Sequence, residues 1–177
     1  EKALKIWKKH NPKKGTKFYL FCGFKLTEKS HDKFYKDIWE LFQRIRVLMS
    51  YGCVGYVMRH EDYHKYEISN LYIQIARWCN QQQFYKKMSF WEFAYRNQSY
   101  WEENTLKIKD RPALKSFQEF EEDLNNGYYG NGDGQVKMCL PLQTVMKTLE
   151  RFPQHREELL EMFNYKMVNL INPKLWE

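Results

Sequence analysis

The chain has 177 residues, which suits one domain or a small domain with a helical extension and is long enough to bury a core. Hydrophobic residues make up 43% and aromatic residues 18%, so a disordered chain is excluded. The formal charge of +7 fits a nucleic-acid partner, because Lys and Arg neutralise phosphates and rings stack on bases, but it fits a merely soluble basic surface equally well.

Residues 1–16 read as a basic arm containing Lys8, Lys9, Lys13 and Lys14, with Pro12 and Gly15 breaking any helix. The alternative is a solvated terminus. Phe18 to Phe24 reads as a buried strand with apolar or aromatic residues on both faces. Thr27 or Ser30 can cap a helix whose stripe is Phe34, Ile38, Leu41, Phe42, Ile45, Leu48 and Met49. A second strand is expected over Gly52 to Met58. A third is expected over Tyr66 to Ala76, with Leu71, Ile73 and Ile75 on one face and Tyr72 and Gln74 on the other. A short helix fits Gln81 to Phe93, and Thr105 to Ile108 could form a fourth strand.

The character shifts after Pro112. Leu114, Phe117, Phe120 and Leu124 form a helical stripe, and Asn125 to Gly134 is a Gly/Asn loop. Val136 to Leu140 could be a strand. Two further helices use Leu142, Val145, Met146 and Leu149, then Leu159, Met162, Phe163, Met167 and Leu170. Residues 113–177 are therefore expected to form a helical extension packed on a first domain at 17–112.

The expected order strand–helix–strand–strand–helix gives an antiparallel α+β sheet with helices on one face and the other face open. Here the sequence resembles an RNA-recognition motif. Leu20-Phe21-Cys22-Gly23-Phe24 looks like the family's first-strand motif, and Asp32 to Phe42 looks like its first helix. Tyr51-Gly52-Cys53-Val54 looks like the start of its second strand, and Asn70-Leu71-Tyr72-Ile73-Gln74-Ile75 like its third. The resemblance implies a ferredoxin-like sheet on which Phe21 and Tyr72 stack bases, with Tyr19 and Gln74 beside them. Within the densest aromatic run, Phe90 to Trp101, Arg96 could also face a base.

Catalytic readings are weaker. His60, Glu61, Asp62 and His64 crowd one segment with the spacing of His-Glu-x-x-His, but the stretch reads as a charged turn and not the helix that motif needs, so a solvated turn is expected and no metal site. A relative of rolling-circle replication nucleases would need paired His where Tyr72-Ile73-Gln74 stands, leaving only Tyr85 as a nucleophile mimic. No motif for a cofactor or phosphate-binding loop is present. Cys22, Cys53, Cys79 and Cys139 lie in or beside apolar runs, which suggests buried thiols in a reducing, intracellular compartment. No apolar run approaches the roughly 18 residues of a membrane span. The leading expectation is a non-catalytic binder of single-stranded RNA or DNA, with a protein-interaction subunit of a larger assembly as the alternative.

Overall fold

A computed structural model describes residues 1–177. Nine α-helices and two strands follow one another as α1 (Lys2–His10), β1 (Lys17–Cys22), α2 (His31–Ser50), β2 (Val54–Arg59), α3 (Asn70–Cys79), α4 (Gln82–Lys87), α5 (Phe90–Thr105), α6 (Phe117–Asn125), α7 (Leu140–Arg151), α8 (Arg156–Phe163) and α9 (Met167–Leu170). The only sheet has two strands, and they are parallel, with Tyr19 opposite Tyr56 and Phe21 opposite Met58. The antiparallel ferredoxin-like sheet is thereby overturned. With α2 crossing between its strands, this is a β–α–β unit.

The expected third strand is helix α3. Leu71 and Ile75 satisfy both a period of two and a period of 3.6, and only the helical period brings the adjacent Trp78 and Cys79 onto the same side as them. All four are buried, along with Tyr72 and Ala76. The expected fourth strand begins at Thr105, the last residue of α5, and continues as exposed chain. The expected strand at Val136 is reduced to a single bridge with Tyr129, and Leu140 already opens α7. The basic arm also differs from expectation. Pro12 and Gly15 lie beyond α1 rather than inside it, so nothing prevents residues 2–10 from coiling.

The inner face of the sheet carries Leu20, Cys22 and Val57, all buried. The stripe of α2 read from the sequence is buried in full: Phe34, Ile38, Leu41, Phe42, Ile45, Leu48 and Met49. Helix α3 approaches β2 at Gly55, where an added Cβ would stand 2.7 Å from Leu20 Cδ1 and 3.0 Å from Cys79 Sγ. Only glycine allows this approach. The core continues through the C-terminal helices, with the ring of Phe42 5.5 Å from Phe163 and 5.3 Å separating Phe163 from Phe90. No helix is long and apolar enough to cross a membrane.

Candidate nucleic-acid interface

Alternation along a strand sends successive side chains to opposite faces. In β1 it buries Leu20 and Cys22 and turns Lys17, Tyr19 and Phe21 outward. The parallel register places Tyr56 and Met58 beside them on the same face. Tyr19 is 64% exposed and Phe21 49%, values that leave ring faces open to a ligand. Tyr19 meets Tyr56 edge-on at 5.7 Å, and Lys17 Nζ lies 5.3 Å from the Tyr56 ring centre.

The strip continues past the end of β1. Gly23 turns the chain with φ +78°, and a Cβ there would come 2.6 Å from Tyr63 Cβ. The turn leaves Phe24 47% exposed, 6.4 Å from Phe21 and stacked on His60 at 4.4 Å. Asp37 of α2 holds the turn from below. Its Oδ2 accepts from the Gly23 N–H at 2.8 Å and from the Tyr72 hydroxyl at 2.6 Å. Burial, reinforced by Asp37, pushes the Cys22 thiol up to about 12 and raises the Tyr72 hydroxyl far more. Both groups therefore stay neutral, and this cluster is a scaffold rather than a nucleophile.

The β1 edge is open as well. Val54 N–H donates to Thr16 O and His60 N–H to Cys22 O, which fixes the phase of the ladder. Lys17, Tyr19 and Phe21 consequently turn their backbone groups away from β2. Arg44 of α2 donates from Nη1 to Phe21 O at 3.0 Å, bringing a guanidinium to the rim of the aromatic strip. On the other side of β2 the edge is closed by a side chain. Asn80 Oδ1 accepts from Val57 N–H at 2.7 Å, and Asn80 Nδ2 donates to Val57 O at 3.2 Å.

The site residues expected from the sequence divide sharply. Tyr19 and Phe21 share the open face. Tyr72 and Gln74 do not: both are buried on α3, and Tyr56 takes the place expected of Tyr72. Lys8 is also buried. It donates to Pro12 O and Lys14 O, each at 3.0 Å, and its ammonium lies 4.7 Å from the Trp176 ring centre. Lys9, Lys13 and Lys14 are exposed. Arg96 is exposed on α5, away from the sheet, over the Phe84 ring at 5.1 Å. Tyr85 is fully buried, with its hydroxyl 3.4 Å from Ile45 O, so it cannot act as a nucleophile on a bound strand. His60 caps the turn Glu61–Lys65 by accepting from Asp62 N–H, while Lys65 holds the Asp62 carboxyl below its usual range.

No family model, curated protein or solved structure matches this chain. The charge distribution then singles out the same region. Residues 1–29 hold nine Lys and two Glu, whereas residues 30–177 hold 20 Lys and Arg against 20 Asp and Glu. The whole net charge of +7 therefore belongs to α1, β1 and the turn after them. Phe24 and Tyr56, missed in the sequence, had one usable signal. Both are aromatic residues in runs that read as strand or strand end.

Proposed function

We propose that this protein binds single-stranded nucleic acid across the outward face of β1 and β2. The observation that carries the reading is the coincidence of the open aromatic strip with the segment that holds all of the net positive charge. Tyr19, Phe21, Tyr56 and Phe24 supply rings for stacking, and Lys9, Lys13, Lys14, Lys17 and Arg44 supply phosphate partners. Stacking on a ring contributes about 1–3 kcal/mol per base and tolerates any sequence. A duplex hides its base faces and would gain only the electrostatic part.

The test is fluorescence anisotropy with labelled single-stranded RNA, single-stranded DNA and duplex at two salt concentrations. Single strands should bind more tightly than duplex, and the affinity should fall as salt rises. Tyr19→Ala combined with Phe21→Ala should weaken single-strand binding at least about tenfold, given the stacking energies above. Both side chains are exposed, so the double variant should fold. Equal affinity for duplex and single strand, or no loss in the double variant, would remove the sheet face from consideration.

A second reading has its own support. Beside the free edge of β1 lies a groove of about 380 Å³ lined by Leu4, Phe18, Leu20, Val47 and Leu48. An open strand edge beside an apolar groove suits an extended peptide added as a third strand. Anisotropy with nucleic acid alone decides between the two, because peptide addition predicts no response to any strand.

A further inference from the structure

On different elements from those that frame the sheet face, the surface is indented by a pocket of about 290 Å³. Four cations reach it from separate parts of the chain: Lys87 ends α4, Arg96 stands on α5, Arg111 on the extended chain after α5, and Lys166 just before α9. Its apolar wall is Met88, Pro112 and Leu114. Two of the cations are neutralised in place. Lys166 pairs with Glu92 at 2.8 Å, and Arg111 pairs with Glu103 at 2.8 Å. Lys87 and Arg96 have no carboxylate within ion-pair distance.

We infer that this pocket binds a phosphomonoester on a compact, partly apolar body, of which a nucleoside monophosphate is the type. Two cations without a carboxylate partner line one pocket, so an anion seated there is attracted by both. A phosphomonoester carries about −1.5 to −2 charges at neutral pH, which matches that surplus, whereas a carboxylate or a phosphodiester brings only one. Arg96 offers a planar fork that can take two phosphate oxygens, and Lys87 offers a point charge. The apolar wall gives the body of the ligand a surface to cover. The volume lies at the small end of ligand pockets, which run from roughly 300 to 1,000 Å³, so one nucleotide-sized molecule is the limit.

This site does not depend on the sheet-face reading, and its test is separate. Calorimetry of the full chain with AMP, adenosine and inorganic phosphate should show saturable binding of AMP. Adenosine and phosphate should each bind at least about tenfold more weakly, because each lacks one half of the recognition. Lys87→Gln with Arg96→Gln should weaken AMP about tenfold or more, since the two substitutions remove both charge-assisted partners of the phosphate. Neither substitution breaks an ion pair. Should the double variant fail to fold, Lys87→Gln alone, at an exposed helix end, should still weaken AMP severalfold. Tyr19→Ala with Phe21→Ala should leave AMP binding unchanged. Titrating a trinucleotide with and without a 5′-phosphate distinguishes a free nucleotide from a strand end as the source, and a gain from the phosphate supports the same site. No saturable AMP binding, or full AMP affinity in the folded Gln variants, would overturn the inference.

Discussion

Asp37 is the residue on which the aromatic strip rests. Its carboxylate joins the Gly23 turn to α3 through the Tyr72 hydroxyl, and that turn sets where Phe24 stands. Tyr72→Phe keeps the ring and removes the only side-chain donor to Asp37, leaving a half-buried carboxylate with one partner. The expected cost is about 1–3 kcal/mol, read as a lowered midpoint in chemical denaturation, with single-strand binding retained. No loss of stability would show that Asp37 is adequately hydrated without Tyr72. The Cys22 thiol adds a pH dependence. Burial raises it to about 12, whereas an unfolded thiol ionises near about 8.5. The unfolded chain therefore binds fewer protons across that window, and stability falls as pH rises through it. Denaturation at pH 7 and pH 10 should show the decline, and Cys22→Ala should make it shallower. The burial of Cys22 was legible from its place in an apolar run. The role of Tyr72 was not, because alternation assigned it to the wrong face of the wrong element.

At the scale of elements, α2 was legible because it has one dominant period, and β1 and β2 because each is a short apolar run between clear breaks. Helix α3 was not, since Leu71, Ile73 and Ile75 alternate as well as any strand, and ten residues are too few to separate the periods. What decides it is the closing pair Trp78 and Cys79, which only a helix brings onto the buried side, and the close approach of Cys79 to Gly55. Gly55→Ala would drive a methyl group into Leu20 and Cys79. Overpacking of this kind costs about 1–3 kcal/mol, and it should lower stability without touching the outward rings. A Gly55→Ala protein as stable as the parent would mean that α3 can slide away from β2. Helix α5 shows a signal that was present but unused. Ser89 and Glu92 form a reciprocal capping box, with Ser89 Oγ accepting from Glu92 N–H at 3.1 Å and Glu92 Oε2 accepting from Ser89 N–H at 2.8 Å. The Ser-x-x-Glu pattern marks the start of a helix at Phe90, where the sequence reading ran a single helix from Gln81 to Phe93. Ser89→Ala should cost about 1 kcal/mol, within the usual range for a lost N-cap, and thermal melting would register it.

Across the whole molecule, charge and aromatic exposure are both concentrated at the N-terminal side, yet composition reports them only as totals. The sum of +7 was equally compatible with a diffuse basic surface, and the even balance of residues 30–177 excludes that. The fold then converts a sequence bias into a place, because α1 is tied down by Lys8, whose ammonium binds Pro12 O and Lys14 O and sits over Trp176 near the opposite terminus. Lys9, Lys13 and Lys14 thereby belong to a segment that is fixed where it enters β1, at Thr16, whose carbonyl accepts from Val54 N–H. This arrangement makes a quantitative forecast for salt. Each phosphate neutralised on a single strand contributes about 0.7 to the slope of log affinity against log salt. Replacing Lys9, Lys13 and Lys14 with Gln should make that slope shallower by up to about 2, while binding at low salt weakens. The same number of charges removed at Lys107, Lys137 and Lys147, which are exposed outside the basic segment, should lower the net charge equally and leave the slope almost unchanged. If the two triple variants lose slope equally, the strand responds to total charge and not to the face beside β1, and the aromatic strip would have to serve something other than nucleic acid.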